Sequence, residues 1–189
     1  MNTKRKLILI VTIVTLLVIP FVANAQTSFV LNKEGVGCLK KNMLVSKIPS
    51  NCPGLYDRFE KNPVEDDFNG NYTEYIFYSG TEKVVSSKDF GDGKFYYFDA
   101  YSPKISTPDG VYPGMPIKKL LTIKGVKGNY NDGINLTLKG YTIDFGSFEK
   151  LTAYGEKLFN DAYAKGTEVK LSNACFKSNA KVISVGFYE

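Results

Sequence analysis

Proline stands at positions 49, 53 and 63 of KKNMLVSKIPSNCPGLYDRFEKNPVEDDFNGNY. That spacing forbids a long helix between Lys40 and Tyr72, because each interior proline removes a backbone donor and clashes with the preceding turn. The stretch reads as a wrapped loop with at most one or two helical turns. Elsewhere short β-rich runs alternate with glycine turns. TSFVL offers a short strand from Phe29 to Leu31, and YTEYIFYSG with TEKVVSS reads as a hairpin turning at Ser79-Gly80. GDGKFYYFDAYS reads as a turn feeding a strand from Lys94 to Ser102, GVKGNYNDG as a loop, and INLTLKG with YTIDFG as two strands turning at Lys139-Gly140. One window keeps helical spacing: Phe148, Leu151, Tyr154, Leu158, Phe159 and Ala162 predict an amphipathic helix over 147–165. Gly155 in its middle opposes it by about 1 kcal/mol of propensity. Strands through 169–171, 174–176 and 181–188 close the chain. With 13 Tyr, 13 Phe and 17 Gly, the pattern predicts a sheet-dominated α+β fold.

A phrase recurs. KEGVGCLKKNMLVSKI (33–48) and TPDGVYPGMPIKKLL (107–121) both run from a turn through Gly-Val to a methionine and a short apolar segment. Aligning Gly35-Val36 with Gly110-Val111 brings Met43 near Met115, with Asn42 where the second copy has Gly114. The expectation is two tandem similar units, 26–102 and 103–189, each a short helical segment with an antiparallel sheet. Gly110, Gly114, Met115 and Met43 are the candidate structural joints. Glycine ahead of methionine opens torsions closed to other residues, Pro113 and Pro116 stiffen the entry, and methionine fills irregular gaps. A catalytic elbow would put a nucleophile at that turn, and methionine is none.

Residues 1–25 have the three parts of a secretory signal: Lys4, Arg5 and Lys6, an apolar run from Leu7 to Val22, and Ala23-Asn24-Ala25 before Gln26. The run is shorter than the roughly 20 residues of a membrane span, so the expectation is cleavage before Gln26, no membrane span in the mature chain, and a periplasmic or secreted location. Three of the 24 basic residues lie in that segment, leaving 21 against 19 acidic ones in a mature chain of 164 residues with net charge +2. Basic residues form no run longer than Lys40-Lys41 or Lys118-Lys119, which argues against nucleic acid.

Cys38 and Cys52 are the candidate disulfide pair; their bridge would close a loop of about fifteen residues, worth about 3 kcal/mol in lost chain entropy. The alternative is three buried free thiols, and Cys175 reads as a small core residue. Histidine is absent, which excludes Ser-His-Asp and Cys-His catalysis and removes the commonest zinc ligand. The three cysteines lack CxxC spacing for zinc, and no Walker phosphate loop occurs. No cofactor is expected. Ser-x-x-Lys occurs at Ser147 to Lys150 and Ser178 to Lys181, without the partner motifs of a Ser-Lys hydrolase; Ser147 reads more simply as a helix N-cap. Asp57, Glu65, Asp66 and Asp67 could offer oxygens to calcium but lack the order of a calcium loop, and Asn129 to Gly133 has the same weak character. Tyr72, Tyr75, Tyr78, Tyr96 and Tyr101 could stack sugar rings or fill core and cross-strand pairs. Asn71 and Asn135 begin incidental Asn-x-Thr sequons.

AYSPKISTPDGVYPGMPIKKLL, with the terminal AKVISVGFYE, resembles a phrase of uncharacterised exported proteins of the Bacteroidetes type, in which Ser-Pro leads to Thr-x-x-Gly-Val-x-x-Gly-Met. KKNMLVSKIP and GLYD are similar to the amino-terminal portion of that group. More distantly, Gly-Met, a short helix and antiparallel strands are similar to the small lipoprotein of the outer-membrane β-barrel assembly machinery and to the β-lactamase inhibitory protein, both non-enzymatic binders. The resemblance implies a fold and an exported location. The resulting expectation is a non-catalytic binding or interaction module whose partner is an unidentified protein or envelope component. The alternatives are an enzyme acting on a glycan or peptide polymer through carboxylates, and an inhibitor of an extracellular enzyme acting through a protruding loop from Asn51 to Asn71.

Overall fold

Alternation with a period of two residues, rather than helical spacing, organises this molecule. The computed structural model describes residues 28–67, 70–130, 134–146 and 148–188. The signal-like segment 1–25 and Ser147 lie outside the described residues. Three short strands open the chain: β1 (Phe29–Asn32), β2 (Gly35–Val36) and β3 (Leu39–Lys40). Then come β4 (Arg58–Val64), β5 (Tyr72–Ser79), β6 (Glu82–Asp89), β7 (Phe98–Ala100), β8 (Ile105–Ser106) and the one-turn helix α1 (Ile117–Leu120). β9 (Lys127–Tyr130), β10 (Ile134–Leu138), β11 (Tyr141–Asp144), helix α2 (Ala153–Lys165) and β12 (Ser184–Phe187) complete the order.

Eight strands form one antiparallel sheet in the order β4-β5-β6-β7-β12-β11-β10-β9, and β3-β2-β1-β8 form a small second sheet in which β1 and β8 run parallel. The large sheet passes without a break from β7 to β12, so residues 26–102 and 103–189 meet inside it. Register carries one row straight across all eight strands: Phe59, Phe77, Val85, Ala100, Val185, Ile143, Leu136 and Gly128. This row faces inward, and its six central side chains are buried. The small sheet lies against the same inner face, where the Tyr141 hydroxyl donates to the Leu31 carbonyl at 3.0 Å.

The expected α+β fold with a helical segment in each unit gives way to a mostly β molecule. Among the described residues α2 is the one helix longer than four residues. Where the first unit was expected to carry a helix it has a three-residue 3-10 turn, Val45–Lys47, because Pro49 and Pro53 follow at once. Within 51–71, the expected loop, lies β4, seven residues long; Pro63 is tolerated there because β4 is an edge strand with one side unpaired. The loop 125–133 likewise contains β9. The strand expected from Lys94 to Ser102 shortens to Phe98–Ala100. The helix expected over 147–165 starts at Ala153 behind Thr152, whose hydroxyl accepts from the Gly155 amide at 3.1 Å. Gly155 earns its place by contact: a β-carbon there would overlap the Cys175 carbonyl, so only glycine lets α2 lie against the 3-10 turn Asn173–Cys175.

Candidate functional site

The two methionine joints are built alike. Asn42 and Gly114, the residues before the methionines, both have positive φ, at 63° and 90°; asparagine is among the few side chains that tolerate this region. The Met43 amide donates to the Lys40 carbonyl and the Met115 amide to that of Tyr112, each at 3.1 Å. Asn42 and Gly114 donate to the carbonyls of Phe95 and Val182, whose own amides return bonds to the carbonyls of Met43 and Met115. Each joint thereby grips the chain just ahead of a central strand, β7 or β12. Met115 is 2% exposed and Met43 packs against the core. Gly110, also at positive φ, donates to Thr107 within the preceding turn. None of these residues lines the hollow beside β9, the hollow beside Asp57, or the broad depression on the sheet's outer side.

Cys38 and Cys52 are joined in a disulfide with Cα atoms 6.2 Å apart, and Cys175 is a buried thiol. The turn just after the bridged loop carries Leu55 and Tyr56 onto the inner face; the Tyr56 hydroxyl donates to Pro49, and burial raises its pKa to about 12. Lys181 is exposed and bridges Pro116, so Ser178 and Lys181 sit on an open turn. Asp57 accepts from the Gly80 amide and pins the hairpin turn. Glu65 and Asp67 are exposed, and among the described residues no group of three or more acidic or cysteine side chains gathers as metal ligands would.

The tyrosines divide by strand parity. Tyr75 points inward and is buried, Tyr72, Tyr78 and Tyr101 point outward, and Tyr96 lies exposed in the loop before β7. The small sheet and α2 both lie on the inner face, against Tyr141 and Gly128, so the outer face is covered by its own side chains. Its central row sets Ser86, Asp99, Gly186, Thr142 and Thr137 side by side on β6, β7, β12, β11 and β10. The face dips there into an open trough of about 750 Å³. One end is lined by the rings of Phe90, Tyr97 and Tyr188, with successive centroids 6.2 and 4.8 Å apart, and Tyr72 packs on Phe90 beside it at 5.7 Å. The other end carries Asn129, Asn135, Thr137, Thr142, Asp144 and Ser184.

Gly186 makes the centre of the trough possible. A β-carbon at this position would overlap both the Asp99 carboxylate and the Tyr188 ring, so glycine lets that ring lie back across β12. The Tyr188 hydroxyl then donates to Asp99. Burial pushes the Asp99 carboxyl above its usual range, against the pull of the Tyr188 hydroxyl and the ammonium groups of Lys88 and Lys83. Burial first, and then the nearby Asp99 charge, raise the phenols of Tyr188 and Tyr97. A smaller hollow of about 480 Å³ lies where edge strand β9 meets the end of α2, spanned by the Lys127–Glu168 ion pair at 2.6 Å.

Asp99, Gly186, Tyr188, Thr142 and Asn135 were not singled out as a site by sequence reasoning. The available signal was alternation: in FDAY, YTID and SVGFY the outward positions, Gly186 apart, hold polar or aromatic groups while the inward ones are hydrophobic. Which strands are neighbours is what gathers them, and that is set by pairings of distant residues.

No protein-family model matches this sequence, and comparison with curated proteins gives no match. Among solved structures the chain is similar to the crystal structure of the uncharacterized protein yfeY from Escherichia coli, with a TM-score of 0.56 and 16% identity over 85% of this chain and 99% of that one. At that identity the likeness speaks to the fold alone.

Proposed function

We propose that this chain is an exported, non-catalytic binding module that presents the outer face of its large sheet to a component of the cell envelope. The observation that carries the reading is the trough: eight strands wide, the face is left open, with aromatic rings at one end and hydrogen-bonding side chains at the other. Binding faces are marked by such placed polar groups beside aromatic surface. The Cys38–Cys52 bridge supports export, since disulfides persist in oxidising compartments. The two trough carboxylates support a binding role over carboxylate catalysis. Asp99 and Asp144 lie two strands apart and two residues out of row, about 12 Å between Cα atoms, and the Asp144 carboxylate is engaged by the Gly146 amide at 2.7 Å.

The test is in-cell photocrosslinking from two positions, Thr142 in the trough and Lys157 on the exposed side of α2. Crosslinks to an envelope component from Thr142 and none from Lys157 are expected. Equal capture from both positions, or none from Thr142, overturns the proposal. Mass spectrometry of the exported chain, expected to begin at Gln26, tests the location.

A further inference from the structure

We infer that the trough takes a neutral, hydroxyl-rich glycan chain, an inference that rests on the binding-module reading and names the chemistry of its ligand. Three observations point there. First, rings and polar groups line the trough, and no aliphatic side chain does. A protein partner is anchored by desolvated apolar pockets, whereas a pyranose offers an apolar C–H face to a ring and hydroxyls around its rim. Phe90 and Tyr188 are 43% and 49% exposed, so ring surface stands open for that stacking.

Second, the hydrogen-bonding groups opposite the rings are not bonded to any described residue. The side chains of Asn129, Asn135, Thr137, Thr142 and Ser184 make no hydrogen bond among the described residues, although Asn135 with Asn129, and Thr137 with Thr142, are direct cross-strand neighbours. They repeat at the strand spacing of about 4.8 Å, and amides and hydroxyls both donate and accept, as sugar hydroxyls do. The contrast with the other half of the face is plain. There Lys83 sits 3.2 Å from Glu74 and Arg58 sits 4.1 Å over Tyr78, so the polar groups are already engaged with one another.

Third, the charge fits an uncharged ligand. The trough holds one ammonium, Lys88, against two carboxylates, Asp99 and Asp144, and no guanidinium. A polyanion would call for Arg or Lys forks.

The experiment is native affinity electrophoresis of the mature chain through gels containing laminarin, glucomannan, xylan or dextran, with polygalacturonate as the charged comparison. At least one neutral polysaccharide should retard the protein, and polygalacturonate should not. Thr142→Arg, which drives a long charged chain into the trough, and Tyr188→Ala, which removes a stacking face, should each weaken retardation at least tenfold, with Lys157→Ala unchanged and near-ultraviolet dichroism confirming that all three fold. Retardation by none of the neutral polymers, or equal retardation of the Thr142→Arg protein, overturns the glycan assignment. If none is bound while Thr142 still crosslinks specifically to an envelope polypeptide, the glycan assignment fails and the binding-module reading stands; if crosslinking fails too, both fall.

Discussion

The two halves of the large sheet are covered in different ways. Each half runs from an outer strand inward, β4 to β7 and β9 to β12, and each is gripped by a methionine joint ahead of its last strand. Between β6 and β7 the chain makes a short loop over 90–97, but between β11 and β12 it makes an excursion that contains α2. The inner face of the first half is therefore sealed by side chains and a staple. Phe95 and Phe77 pack at 6.1 Å, Tyr56 covers Phe77 at 4.9 Å, and the Cys38–Cys52 loop holds Tyr56 in place. In the second half a helix does this, with Phe159 reaching toward Phe145, which Phe176 meets edge-on at 5.3 Å. A sheet needs its apolar face covered; aromatic bulk with a crosslink serves as well as a helix.

Variants can break or sharpen that comparison. Phe77→Ala and Phe159→Ala, one under each cover, should each destabilise by about 3–5 kcal/mol in urea titrations followed by circular dichroism. A single transition in both shows that the halves unfold together, and two transitions in either would separate them. Next in size, Cys38→Ser with Cys52→Ser should lower stability by about 3 kcal/mol, and the reduced wild type should match it; a loss near zero would mean that ring packing alone seals the first half. Gly155→Ala tests the second half by its sign. Propensity favours alanine in a helix by about 1 kcal/mol, yet overlap with the Cys175 carbonyl should make it destabilising by about 1–3 kcal/mol. Gly114→Ala should cost about 1–2 kcal/mol, because no neighbouring atom crowds the site and only the left-handed backbone resists; Asn42→Gly, in the matching joint, should stabilise slightly.

The last test concerns the face that both halves share. Burial raises the Asp99 carboxyl, so the folded state binds its proton more tightly than the unfolded chain does. Its favourable contribution is complete below the ordinary carboxylate pKa and is lost as pH rises through the raised folded value. Asp99→Asn should therefore melt higher than wild type at neutral pH, with the gap closing in acid. A gap that widens in acid would reverse the assignment.

Local chemistry was legible in the sequence where one residue type decides the backbone. The hairpin at Ser79-Gly80, the turn at Lys139-Gly140 and the core of α2 are of this kind. β4 was hidden because Pro63 reads as a breaker until its strand is known to lie at an edge, and β9 because its glycine and asparagines read as a loop. The fold class was misjudged for a related reason: IKKLL has helical character, but one turn is all that α1 keeps. At the trough, the outward tyrosines were visible as candidates, yet Asp99 and Gly186 are ordinary residues until β7 and β12 lie side by side.

The position of β12 has a consequence for timing. The last of the described strands in chain order lies fourth from one edge of the sheet, flanked by β7 and β11, and its pairing with β7 joins Asp99 to Gly186. β4 through β7 and β9 through β11 can each zip from neighbours in the chain, but within the large sheet the two pieces are joined through β12 alone. Closing the sheet therefore waits on partners far apart in the chain, and pairing of that kind is slow.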